Sequence, residues 1–228
     1  MVVSPGFERK IRKWLFSTLQ SNLQFRPFIT EGNPYKSNCL VVGLFPLKQL
    51  PLSGETLQLH VEALLHRELF SYMYGDAINS REKKGVDRFF AWYYEQFGHY
   101  PIWSFLNSIE FDSEQDFQLY KKLEPEIFQL GYAVFLEVLE EFQPEHVILY
   151  GNKTLKAFRS QFSEVLIDSR SNIEKCTELC QLGPFAEMYY DNGKMVKIYA
   201  VPSMSLFSPE HPYFSSVLEE LLNDLNNE

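Results

Sequence analysis

Apolar residues recur along this chain in two rhythms, as short unbroken runs and as longer stretches where they return every three or four positions. The runs at residues 38–47, 101–107, 146–151 and 195–201 have the length and the β-branched or aromatic content of buried strands. The spaced stretches predict helices. Over residues 5–22, Phe7, Ile11, Trp14, Leu15 and Leu19 share one face; over 57–73, Leu57, Val61, Leu64, Leu65 and Leu69 do so; over 88–97, Phe89, Phe90, Tyr93 and Phe97. A long helix follows over 123–142, with Ile127, Leu130, Val134, Val138 and Phe142 inward and Pro144 closing it. A helix over 154–162 and a final one through Phe214, Val217, Leu218, Leu221, Leu222 and Leu225 complete the pattern.

Between these elements, Pro27, Gly32 and Pro34 mark residues 26–37 as a loop leading into the first strand. Residues 75–85 form a polar loop able to move over a pocket, and residues 164–184 read as an irregular excursion. Asn192-Gly193 predicts a type I′ turn joining strands at 185–190 and 195–201. Strands separated by helices predict an α/β chain, a single domain over 1–228, built on a central, mostly parallel four-stranded sheet covered on both faces. In such sheets ligands bind beyond the carboxyl ends of the strands. Four strand ends are then expected to converge: Gly43 to Pro46, Asn107, Gly151-Asn152, and Pro202 to Ser205.

Composition narrows the function. With 228 residues and 45% hydrophobic content, the chain can bury a full core without disulfides or metals. Three cysteines form no paired framework; Cys176 and Cys180 fall short of a metal set, so no metal and no cofactor is expected, and a reducing, cytoplasmic setting fits. No leader or membrane-spanning stretch is read, and no Gly-rich phosphate loop. A net charge of −9 disfavours general nucleic-acid binding, leaving Arg9, Lys10, Arg12 and Lys13 on the first helix as a local basic surface. Any DNA binding should therefore be weak and salt-dependent.

The strand-end motifs, taken in order, resemble those of the uracil-DNA glycosylase superfamily over roughly residues 36–225. Gly43-Leu44-Phe45-Pro46 is similar to its first motif, Gly-x-x-Pro. Phe105-Leu106-Asn107 resembles the strand ending in a base-reading Asn. The run from Phe142-Gln143-Pro144 to Gly151-Asn152 is similar to the Gln-Pro helix end, strand and Gly-Asn that follow. Val201-Pro202-Ser203-Met204-Ser205 resembles the last motif, in particular the Met-Pro-Ser-Ser-Ser of the mismatch-specific branch. The resemblance implies a three-layer α/β/α sandwich and a DNA-repair hydrolase that cleaves the N-glycosidic bond of a uracil-like or modified base. Its pocket would be lined by Gly43, Leu44, Phe45, Pro46, Asn107, Pro202, Ser203 and Ser205.

Glycosidic cleavage needs an aimed water and stabilisation of the leaving base. The family commonly uses an Asp or Asn in the first motif and a His in the last; here Phe45 and Val201 stand at those places. Asp76, Glu110 or Asp112 could supply a carboxylate, and His211 an imidazole. An Asn107 amide, with one acceptor and two donors, can read a pyrimidine edge or hold its own turn. Two functions stay open: a DNA N-glycosylase, or a non-catalytic relative that binds a nucleobase, a nucleotide or a protein partner through the same pocket.

Overall fold

The computed structural model describes residues 3–21, 23–50, 56–75 and 77–225. In chain order its elements are α1 (Pro5–Ser21), β1 (Phe28–Ile29), β2 (Cys39–Gly43), α2 (Leu57–Leu65), α3 (Arg67–Tyr74), α4 (Arg81–Phe97), β3 (Ile102–Phe105), α5 (Glu114–Leu123), α6 (Pro125–Phe142), β4 (His146–Tyr150), α7 (Asn152–Gln161), β5 (Ile167–Asp168), α8 (Cys176–Leu179), β6 (Ala186–Tyr189), β7 (Met195–Val201) and α9 (Ser215–Leu225). The chain is α/β, and it divides into two compact units, each assembled from separate stretches of sequence.

The first unit comprises residues 1–35, 45–79 and 102–142. Its strands β1 and β3 pair antiparallel, with Phe28 opposite Ser104, so the segment read as a loop over 26–37 contains a strand. The expected helix over 57–73 breaks at His66, whose extended backbone (φ −136°, ψ 90°) bridges to Glu31 while the Arg67 amide donates to the Thr30 carbonyl. Apolar periodicity continues through such a break and cannot reveal it. α5 also escaped the sequence pattern, because Phe117 alone among its residues is buried. On α1, the basic face is partly neutralised: Lys10 pairs with Glu137 at 2.9 Å and Arg12 with Glu8 at 2.6 Å. The side chain of Leu19 lies outside the described residues.

The second unit comprises residues 36–44, 80–101 and 143–228. Its sheet runs β2-β4-β7-β6-β5. β2, β4 and β7 are parallel, and β6 and β5 extend the sheet antiparallel. The expected four-stranded, mostly parallel sheet is thus corrected. Three of its strands pair as expected, the run at 101–107 supplies β3 with its antiparallel partner β1 in the first unit, and residues 164–184 contain β5 and α8. Cys39 to Val42 and Val147 to Leu149 are essentially fully buried, which explains why these strands read as unbroken apolar runs. The hairpin of β6 and β7 forms, but its turn is not type I′. Gly193 alone among the turn residues has positive φ (84°), its amide donates to the Tyr190 carbonyl, and Tyr190 donates to the Lys194 carbonyl, the pattern of a type I turn followed by a left-handed glycine.

A buried polar cluster anchors the first unit. Arg26 and Glu110 form an ion pair at 2.7 Å, with side chains only 2% and 1% exposed. The Leu50 amide donates to the other Glu110 oxygen, and Arg26 donates to the Lys48 carbonyl and lies over the Phe70 ring. Burial raises the Glu110 carboxyl, while Arg26 and the Leu50 amide pull it back. His60 Nδ1 meets the Tyr74 hydroxyl at 2.7 Å. Burial, and secondarily Arg26, push His60 down to about 4, while burial, aided by Glu110, pushes Tyr74 up to about 12.

A histidine depressed by folding stabilises the fold fully above its unfolded value of 6.5, and that stability is lost as pH falls through 6.5 towards 4, because the unfolded chain takes up the proton first. The loss should reach about 3 kcal/mol across that window. Glu110, shifted upward, acts in the opposite sense, so the two are separated by substitution. Urea melts between pH 7 and 4 should show a shallower fall in stability for His60→Gln than for the native chain; identical slopes would contradict the assignment.

Candidate functional site

The carboxyl edge of β2, β4 and β7 is set by register. Val42 lies opposite Leu149 and Leu149 opposite Ala200, while Tyr150 pairs with Val201, so the three parallel strands end level. Gly43-Leu44, Gly151-Asn152 and Pro202 to Ser205 leave this one edge. Gly151 adopts φ +90°, a region that favours glycine, and its amide donates to the Val201 carbonyl at 2.9 Å, locking the turn from β4 into α7 to the end of β7.

The last motif is held by α4. The Ser203 hydroxyl donates to Glu82 Oε1, and the Ser205 amide donates to Glu82 Oε2 at 3.1 Å. The two serine hydroxyls are 2.6 Å apart. Arg88 donates from Nε to the Phe207 carbonyl and from Nη2 to the Ser205 carbonyl, both at 3.0 Å. Between them Gly85 lies so close that a Cβ would stand 1.7 Å from the Met204 carbonyl oxygen. Glu82, Gly85 and Arg88 are spaced i, i+3, i+6 and share a helix face. Glu82 and Gly85 fall within residues 75–85, which read as loop from the sequence, whereas helix begins at Arg81; Arg88 reads only as the start of the helical stretch. The available signal was Ser80, whose hydroxyl accepts the Lys83 amide at 3.1 Å as an N-cap ahead of Val86, Phe89, Phe90 and Tyr93.

Gly43, Leu44, Pro202, Ser203 and Ser205 therefore belong to the second unit, and Phe45, Pro46 and Asn107 to the first. The Phe45 ring stacks on Phe117 at 4.4 Å and meets Phe111 edge-on. Pro46 accepts the Phe111 amide through its carbonyl. Asn107 is fully buried. Its Nδ2 donates to the Phe128 carbonyl at 3.0 Å, and its Oδ1 accepts the Ile109 amide at 3.1 Å. α6 approaches this amide so closely that a Cβ on Gly131 would stand 2.0 Å from Oδ1.

The acid and base candidates are also engaged. Glu110 belongs to the buried Arg26 pair and is no solvated surface group. Asp112 is exposed and accepts the Gln49 amide at 3.2 Å. His211 Nδ1 accepts the Tyr213 amide at 3.2 Å, with its ring against Tyr213. Asp76 lies outside the described residues. Cys39, Cys176 and Cys180 are buried and unpaired; burial raises all three thiols, Cys176 to about 12. Among the described residues there is no group of three side chains able to hold a metal, and no helix long and apolar enough to cross a membrane. No protein-family model matches the chain, and no curated protein matches it.

Asn107→Ala removes both side-chain hydrogen bonds and leaves the Ile109 amide and Phe128 carbonyl without these partners. The expected loss is on the order of 1–3 kcal/mol of stability. A chemical melt that leaves the midpoint unchanged would show that the Asn107 amide is not structural.

Proposed function

We propose that this chain is a non-catalytic relative of the uracil-DNA glycosylases that binds a nucleobase-containing ligand at the carboxyl edge of β2, β4 and β7. The ordered motifs and the level strand ends support the ligand class, and the accompanying fold is a three-layer α/β/α sandwich of uracil-DNA glycosylase type. One observation carries the non-catalytic reading: the Asn107 amide, which the resemblance assigns to the base edge, is buried with oxygen and nitrogen both hydrogen-bonded inside the fold. Three buried free thiols agree with a cytoplasmic setting.

The glycosylase reading is kept as a second one by Glu82, which brings a carboxylate to the last motif, where the family's imidazole is missing. There it could aim the water that attacks the sugar as the base departs.

The test is incubation with single- and double-stranded oligonucleotides containing uracil, hypoxanthine, xanthine or mismatches, followed by alkaline cleavage, with calorimetric titration of deoxyuridine in parallel. The non-catalytic reading expects deoxyuridine to bind and every strand to remain intact. Strand cleavage that Glu82→Gln abolishes would establish the glycosylase instead, and absence of both cleavage and binding would remove both readings.

A further inference from the structure

A cleft of about 440 Å³ lies in the second unit between α7 and residues 171–175, lined by Asn152, Lys153, Lys156, Arg159, Glu174 and Lys175, among others. The sequence pattern gave no reason to expect it, since its far wall falls in the supposed irregular excursion. Asn152, Lys156 and Arg159 follow one stripe of α7, with Lys153 beside it, and Lys175 comes from the opposite wall. Three lysines face one glutamate here, in a chain whose net charge is −9. An excess of positive side chains in a partly enclosed hollow raises its potential and attracts anions.

The walls are built to persist. Arg159 pairs with Asp168 at 2.8 Å and donates to the Ile173 carbonyl at 2.6 Å and the Arg170 carbonyl at 2.9 Å, tying the 168–173 segment to α7. It acts as a post, with its guanidinium over the Phe185 ring. Asn152 Oδ1 accepts the Cys176 amide at 2.8 Å and fixes the start of α8. Lys175, also 3.7 Å from Glu178 in an exposed pair, keeps its ammonium in a high-dielectric setting where an incoming anion competes readily. A pocket of this size suits a small ligand, and its positive lining suits an anion carrying more than one negative charge.

We infer that this cleft binds a small phosphate ester, of nucleoside mono- or diphosphate size, through Lys153, Lys156 and Lys175. The nucleoside part of that identity rests on the proposed function; phosphate recognition does not. The two are therefore probed separately, the cleft with inorganic pyrophosphate, which carries no base.

Calorimetric titrations of pyrophosphate, ADP and a twelve-nucleotide single strand at low and moderate salt make the test, on the native chain, on K156E/K175E, and on K121E/K122E as a control of equal charge change on α5. Expected are salt-sensitive binding of pyrophosphate and ADP, a loss of at least tenfold in K156E/K175E, and little change in the control. Absence of pyrophosphate and ADP binding, or equal weakening by both double variants, would overturn the cleft. Binding of the oligonucleotide alone would also overturn it, replacing a small-ligand site by a surface for nucleic-acid backbone. Pyrophosphate binding in the cleft together with failure of deoxyuridine to bind would sustain the cleft and sink only the nucleobase reading.

Discussion

Register ties the second unit together. Because β2, β4 and β7 are parallel and paired from Cys39–His146–Lys197 onward, their carboxyl ends fall on one level, and every segment that leaves them is delivered to the same edge. A slip of one residue in any pair would move Val41, Ile148 and Ile198 to the opposite face of the sheet, out of the packing made for them. Full burial on both faces holds the register. The Gly151 amide bond to Val201 then fixes the exits of β4 and β7 together, and α4 holds the β7 exit a second time through Glu82, Gly85 and Arg88. The cleft along α7 depends on the same register, since α7 starts directly from the end of β4.

In the first unit, polar chemistry serves packing. Arg26, Glu110, His60 and Tyr74 are buried, and Asn107 bridges its own turn and α6. Removing one member of a buried ion pair costs about 3–5 kcal/mol, since the other charge remains desolvated. Such groups are retained for the fold, and their residue types alone give no sign of whether they face substrate. Phe45 is similar: at the place where the motif it resembles carries a hydrogen-bonding residue, it joins the Phe111 and Phe117 cluster.

Much of this was legible in the sequence. The apolar runs gave β2, β3, β4 and β7, and the spaced faces gave α1, α4, α6, α7 and α9, because continuous burial and one-sided burial leave distinct patterns. The short strands β1 and β5 were not legible, since two residues carry no period. Nor was the break at His66, which comes from a tertiary bridge to Glu31. Its place at a strand end marks Asn107 as special, but whether its amide reads a base or a backbone depends on the nearness of α6, which a glycine at 131 permits and sequence spacing does not disclose. The Glu82 clamp was hidden by placing the start of α4 too late.

The central claim is that ligand chemistry resides on the carboxyl edge of β2, β4 and β7, while the Asn107 amide is internal. Amide and side-chain NMR spectra recorded during titration with dUMP test it most directly. Shifts are expected at Gly43, Gly151, Asn152, Ser203 and Ser205, with the Asn107 side-chain amide unmoved. A saturable shift of the Asn107 side-chain amide, with the strand-end residues unchanged, would contradict it.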